Sequence, residues 1–209
     1  MEIEEDTLLI RQLVDFSEII LPLESTNRYE IRNKEGDGAY FAFEVGGRRW
    51  FSLLVRSVLS GHRPFTLRIV NDDNKDVLTA YRPFRFYFHR LNVFENGQWI
   101  GAVQRKFSLV NKLFEVLDGD GNLLCEIKGP LWKPWTFDIV QNQKVYGIIR
   151  KSWRGWAEEF LTDADTFGIQ FPDGATSKEK KILLAAVFLI DFIYFEGNEG
   201  QDYISNYKI

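Results

Sequence analysis

Cysteine is nearly absent from this chain of 209 residues, which contains Cys125 alone. A single cysteine excludes an internal disulfide and a cysteine-based zinc site, and it leaves no cysteine cluster for palmitoylation. We therefore interpret Cys125 as a small buried hydrophobic residue. Histidine is also scarce: His62 and His89 lie far apart, and neither a nucleophile motif nor a phosphate-binding glycine loop accompanies them. We expect that the protein is not an enzyme.

The first residues, MEIEEDTLLI, lack the basic region and apolar run of a signal peptide. The chain also lacks a strong excess of positive charge, since its net charge is -4. Such a balance provides no general attraction to nucleic acid or to anionic lipid. We expect a cytoplasmic protein that does not bind nucleic acid, with any membrane contact peripheral and confined to local patches.

The longest apolar run covers residues 182–195 (ILLAAVFLIDFIYF). As a helix it is apolar on every side, so protein or lipid must enclose it. Its length of about 14 residues falls short of the ~20 that span a bilayer, which favours a core helix over a membrane span. Asp191 lies within the run and is expected either to be salt-bridged in the core or to belong to a polar path for lipids. The side chains expected to be buried on this helix are Leu184, Phe188, Leu189, Asp191, Phe192 and Phe195.

Clear signals bound this helix, which we predict over about residues 177–196. Thr176 followed by Glu179 fits a capping box at its start, and Gly197 provides a stop signal. The lysines expected to stay in water are Lys178, Lys180 and Lys181.

Five strand–turn–strand units precede the helix, each with Asn, Asp, Gln or Gly in its turn. The predicted pairs are residues 28–33 with 39–45, 65–70 with 77–83, the two halves of 85–107 about Asn96-Gly97, 113–118 with 123–129, and 136–140 with 144–152. This pattern predicts a mainly β fold: a closed antiparallel barrel whose interior the helix fills. We assign residues 1–22 to an amino-terminal segment, 23–200 to the barrel and 201–209 to a tail. Residues 8–20 show helical spacing, although the following SEIILPLE, residues 17–24, fits a strand equally well.

Several segments, taken in order, resemble the phospholipid scramblase family, which shares its fold with LURP-one-related proteins and the carboxyl-terminal domain of Tubby. The matching segments are residues 24–31 (ESTNRYEI), 64–69 (PFTLRI), 82–83 (RP), 129–130 (GP), 137–139 (FDI), 151–156 (KSWRGW), 160–172 (FLTDADTFGIQFP) and 188–196 (FLIDFIYFE). The resemblance implies a barrel of about twelve strands around a carboxyl-terminal helix.

The resemblance also implies an activity, the calcium-dependent movement of phospholipids in both directions between leaflets without ATP. This chain departs from the animal pattern in two ways. We expect it to lack the proline-rich amino-terminal extension, and residues 84–94 (FRFYFHRLNVF) stand in place of the palmitoylated cysteine cluster. The alternative is a soluble Tubby-like module that binds lipid, phosphoinositide or a protein partner and does not scramble lipids.

Residues 163–174 (DADTFGIQFPDG) match the calcium segment of that family. Calcium prefers oxygen ligands, so the resemblance implies weak Ca²⁺ binding by Asp163, Asp165 and Asp173. Apolar residues at 167, 169 and 171 instead fit a turn that leads into an ordinary strand.

Basic and aromatic residues alternate in a segment that suits a phospholipid or phosphoinositide headgroup or another polyanion. The residues predicted to contact lipid or a polyanion are Arg150, Lys151, Trp153, Arg154 and Trp156, with Arg48 and Arg49 in a second patch. The alternative is a strand and bend with tryptophan in the core and arginine in solvent. Residues 45–62 likewise fit either a membrane-contacting loop or a further core element.

Overall fold

A computed structural model describes residues 3–13, 27–45, 64–84, 88–151 and 166–195. Within these ranges the chain forms one closed antiparallel barrel and one helix. The strands, β1 to β12 in chain order, are Thr7–Gln12, Arg28–Asn33, Gly38–Val45, Phe65–Asn71, Asp76–Arg82, Arg90–Glu95, Gln98–Lys106, Asn111–Asp118, Leu123–Pro130, Thr136–Gln141, Lys144–Lys151 and Thr166–Gln170. Each strand pairs with its neighbours in sequence, and β1 pairs with β12 to close the barrel.

The five predicted hairpins are confirmed as β2–β3, β4–β5, β6–β7, β8–β9 and β10–β11. The strands form because apolar and polar side chains alternate along them. On β8, Phe114 and Val116 are wholly buried, whereas the intervening Glu115 faces outward. The turn at Asn96 and Gly97 has positive φ at both residues, +50° and +76°, as the tightest hairpin turns require.

Helix α1, Ser177–Tyr194, lies inside the barrel, and its side chains from residue 180 to residue 192 are all buried. The predicted core helix is therefore confirmed. Its capping box is also present, because Glu179 N–H donates to Thr176 Oγ1 and Thr176 N–H donates to the Glu179 carboxylate. The helix ends two residues before the predicted boundary, and Gly197 lies outside the described residues. Among the described residues, no helix combines the length and the apolar character that crossing a membrane requires.

Two of the three lysines at the start of α1 are buried, so the prediction that they stay in water is wrong for Lys180 and Lys181. Lys180 Nζ donates to the carbonyl oxygens of Glu4 and Glu5, at 2.9 Å in both cases. Lys181 pairs with Glu95 at the end of β6. Each ammonium group thus has acceptors that compensate for its loss of water. Lys178 is exposed, as predicted.

The amino-terminal residues belong to the barrel. Strand β1 lies between β2 and β12, with Leu8 and Ile10 wholly buried, so the helical interpretation of residues 8–20 is wrong for residues 8–12 and the barrel begins before residue 23. Residues 14–20 lie outside the described residues. Closing the sheet pairs both edges of β1, which a helix at this place could not do. Ile3 N–H also donates to Ser177 Oγ at 2.8 Å, which fixes the start of the chain to the start of α1.

The antiparallel order gives the barrel two distinct ends. The connections β5–β6, β7–β8 and β9–β10 meet where α1 finishes, which we call the helix-exit end; there Phe195 lies beneath Lys151, the last residue of β11. The connections β2–β3, β4–β5 and β8–β9 meet at the opposite, helix-entry end, where Lys180 reaches Asp6.

Candidate functional site

Two lysines lie against aromatic rings where α1 leaves the barrel. Lys112 Nζ is 4.3 Å from the ring centroid of Tyr194, and Lys151 Nζ is 4.2 Å from that of Phe195. Trp135 stacks on Phe195 with centroids 5.2 Å apart and planes 19° apart. We call these five residues the cation–aromatic cluster. Cations held over ring faces in a partly dry site gain electrostatic stabilisation from the rings.

A glycine allows the aromatic part of this cluster to form. Gly129 pairs with Lys112 across β8 and β9, and a Cβ at Gly129 would lie 2.6 Å from Cδ1 of Phe137. Phe137 is wholly buried and lies 5.3 Å from Lys112 Nζ, measured to its ring centroid. Because no side chain projects from residue 129, Phe137 can pack directly beneath the lysine.

The cluster is electropositive. Partial burial lowers the pKa of the Lys112 ammonium, and the nearby Arg105 charge lowers it further. Arg105 itself lies 5.4 Å from the ring centroid of Tyr194. Burial raises the pKa of the Tyr194 hydroxyl, so this ring stays neutral at physiological pH. Cations in a partly dry site attract phosphate and other anions.

A second buried cation, at the end of β5, packs against α1. Arg82 is wholly buried, and its guanidinium carbon lies 4.5 Å from the ring centroid of Phe192 and 5.7 Å from that of Phe65. Its Nη2 is 2.5 Å from Nδ1 of His89. Arg82 therefore has a structural role in joining β5 to α1.

The structure describes only some of the predicted site residues. Of those predicted to contact lipid, Arg150 is exposed at the end of β11, whereas Lys151 is buried in the cation–aromatic cluster. Asp173 is exposed in the turn between β12 and α1, at the helix-entry end and far from Lys151. Most of the segment 45–62 also lies outside the described ranges. The predicted site residues outside those ranges are Arg48, Arg49, Trp153, Arg154, Trp156, Asp163 and Asp165.

The helix residues Leu184, Phe188, Leu189, Asp191, Phe192 and Phe195 are all buried.

Sequence reasoning missed Lys112, Tyr194 and Trp135 as members of one cluster. The available signal was the turn at residues 131–135 (LWKPW), in which two tryptophans flank a lysine and a proline between predicted strands. Within the described residues, no group of three or more His, Cys, Asp and Glu side chains is arranged to hold a metal ion.

A family model described as Scramblase matches residues 2–197, nearly the whole chain. The chain belongs to the scramblase family. The resemblance noted in the sequence is therefore confirmed, and in this scramblase-family chain the matched region includes β1, all the other strands and α1.

Individual scramblases are also similar to it. Phospholipid scramblase 1 of Mus musculus is 35% identical over 215 residues, which cover 94% of this chain and 63% of that protein. Phospholipid scramblase 2 of Homo sapiens is 31% identical over 206 residues, covering 91% of this chain and 68% of that protein. The chain thus spans less than two thirds of the length of the mouse protein. No solved structure matches the chain.

Proposed function

We propose that this chain acts at the cytoplasmic surface of phospholipid membranes and promotes movement of phospholipids in both directions between leaflets without ATP. Its family and the names of its relatives support this activity. The observation that carries the proposal is the cation–aromatic cluster, in which Lys112 and Lys151 gather at one end of the barrel. Phospholipid and phosphoinositide headgroups are the anions that we assign to it, with the exposed Arg150 beside it. No covalent chemistry is part of this function, so we propose that the protein is not an enzyme.

Calcium is part of the proposal as a weak regulator. Asp163, Asp165 and Asp173 remain the residues predicted to bind it, since carboxylates are suitable ligands for Ca²⁺. The replacement of Asp163 and Asp165 together by Asn should remove any calcium dependence of lipid movement. The same rate with calcium and with a chelator in the unmodified protein would contradict the calcium link.

Lipid movement requires a polar path for headgroups through hydrocarbon, and the buried helix alone does not supply one. We propose that an oligomer forms this path. Asp191 does not line it, because Asp191 is buried inside the barrel and accepts a hydrogen bond from the Tyr29 hydroxyl. The test is reconstitution into vesicles that contain a fluorescent phospholipid, followed by an impermeant quencher. Scrambling exposes the inner-leaflet lipid to quenching, whereas quenching of the outer-leaflet lipid alone would contradict lipid movement.

A second candidate function is a binding module that recognises anionic headgroups or a protein partner and does not move lipids. The observation that favours it is the filled interior, because α1 occupies the barrel and its apolar side chains are enclosed. The vesicle experiment separates the two functions: a binding module would attach to anionic vesicles and leave the inner-leaflet probe protected.

A further inference from the structure

Exposed apolar side chains are concentrated at the helix-exit end of the barrel. Leu109 is 81% exposed and Trp132 is 74% exposed. A single exposed apolar residue is ordinary, but a group of neighbours on one surface marks a site of interaction. The side chains of this group, which we call the apolar rim, are Phe107, Leu109, Val110, Leu131, Trp132 and Trp135.

The rim is one surface because strand register brings its two turns together. Residues 107–110 connect β7 to β8, and residues 131–135 connect β9 to β10. Asn111 pairs with Pro130, so the two turns leave adjacent strand ends. Lys112 Nζ then donates a 3.1 Å hydrogen bond to the carbonyl oxygen of Pro134 in the second turn. The exposed side chains therefore lie on neighbouring turns at the tip of the barrel.

Charge distinguishes the described turns at the two ends of the barrel. The turns 107–110 and 131–135 contain no Asp or Glu, and Lys133 lies within the second. Lys106, Lys112 and Arg150 lie at the strand ends beside them. The described connections at the helix-entry end instead carry six acidic residues against two lysines, Lys34 and Lys75; the acidic residues are Glu35, Asp37, Asp72, Asp73, Asp120 and Asp173. A surface that is both apolar and cationic thus faces away from an acidic one.

We propose that the apolar rim inserts into the interface of an anionic phospholipid bilayer, so that the barrel docks end-on with its helix-entry end facing away from the membrane. The inference rests on the proposed function only in taking a phospholipid membrane as the partner. It assigns a docking surface and an orientation, and it requires no movement of lipids.

The chemistry of the rim favours a bilayer over a protein partner. Tryptophan prefers the boundary between headgroups and acyl chains, and lysine beside it interacts with anionic lipid. The rim also projects from the tips of turns, a shape that enters a soft interface more readily than it matches a rigid partner. The acidic end would be repelled by the same anionic surface, which reinforces the end-on orientation.

The test is flotation of the full chain with vesicles of phosphatidylcholine alone and of phosphatidylcholine with phosphatidylserine. The unmodified protein should float with the anionic vesicles and less with the neutral ones. The double variant Leu109→Ala/Trp132→Ala should bind the anionic vesicles about tenfold more weakly or worse, because it removes two large apolar groups from the interface. Lys133→Glu should weaken the same binding by at least about fivefold, because it reverses a charge beside the lipid surface.

The opposite end of the barrel offers matched controls. Leu123→Ala/Val145→Ala truncates two exposed apolar side chains at the helix-entry end, and Lys144→Glu reverses a charge there. Both controls should bind within about twofold of the unmodified protein. Chemical denaturation should give the same midpoint for every variant, because each changed side chain is exposed.

The outcomes separate this inference from the proposed function. If the unmodified protein binds anionic vesicles and the rim variants bind equally well, the docking surface is wrong and the proposed function stands. If the unmodified protein binds neither vesicle, both fail. If the rim variants change only the oligomeric state measured by light scattering, the rim is a contact between copies of the chain and the inference is overturned.

Discussion

The hydroxyl of Tyr29 donates a 2.7 Å hydrogen bond to Oδ2 of Asp191, which joins β2 to the buried helix. The ring of Tyr29 also packs edge-on against Phe188, with centroids 5.0 Å apart. Asp191 is the acidic residue within an otherwise apolar stretch, so it needs donors inside the barrel. This contact supplies one of them and fixes the rotation of α1 relative to the sheet.

Replacing Tyr29 by Phe should lower the free energy of unfolding by about 1–3 kcal/mol, because a buried carboxylate loses a donor while the ring packing is kept. Chemical denaturation measures this change. The matched control is Tyr81→Phe, which removes a hydroxyl from an exposed ring on β5 and should change stability by less than ~0.5 kcal/mol. Equal losses in the two variants would contradict a specific role for the bond to Asp191.

Replacing Lys180 by Met should release the amino-terminal segment from the helix-entry end. The ammonium of Lys180 bonds two backbone carbonyls, those of Glu4 and Glu5, and Met keeps the apolar stem but has no donor. We expect a loss of about 1–3 kcal/mol, with faster hydrogen exchange in β1.

Lys178→Met is the control, because Lys178 is exposed on the same helix. Its effect on stability should stay below ~0.5 kcal/mol, and exchange in β1 should be unchanged. Unchanged exchange in Lys180→Met would show that the carbonyl contacts do not hold the segment in place.

The central strands could be predicted because their patterns were local. Strand alternation on both sides of Asn96 and Gly97 defined a hairpin with no reference to the rest of the chain. At β1 the local pattern favoured a helix, since apolar residues at 9, 10, 13, 14 and 16 follow helical spacing. Pairing with β2 and β12 makes it a strand, and that pairing joins residues distant in sequence.

The cation–aromatic cluster was hidden for the same reason. Lys112 and Tyr194 are separated by most of the second half of the chain, and only barrel closure brings them to one end. The burial of Lys151 was also not predictable from alternation of basic and aromatic residues, because it depends on where α1 ends. Patterns along one strand indicate which residues face inward, but they do not reveal which strand ends meet the helix.

Gly101 lies at a close approach of α1 to β7. A Cβ at this position would lie 2.3 Å from the carbonyl oxygen of Leu117 and 2.6 Å from Cδ1 of Ile182. Gly101→Ala should therefore lower the free energy of unfolding by about 1–3 kcal/mol or more, because the backbone oxygen cannot move without disturbing the pairing of β7 with β8.

Gly97→Ala separates this steric effect from backbone strain. Gly97 has a positive φ of +76°, but nothing lies within 4 Å of its Cβ position. Its substitution should cost about 1–2 kcal/mol from conformation alone. Thermal unfolding of both variants tests the comparison, and a smaller loss in Gly101→Ala than in Gly97→Ala would contradict the close approach of the helix.

Cys125 should make the free energy of unfolding fall as pH rises through the alkaline range. Burial raises the pKa of its thiol from 9.0 to about 12, with smaller contributions from the charges of Glu179 and Glu126. Between these values the unfolded chain releases a proton that the folded chain retains, so unfolding becomes more favourable as pH rises. Chemical denaturation from about pH 8 to about pH 11 should show the unmodified protein losing stability relative to Cys125→Ala. The tyrosines titrate over the same range in both proteins, so the difference between the two curves isolates the thiol. Parallel curves for the two proteins would mean that the buried thiol ionises as readily as an exposed one.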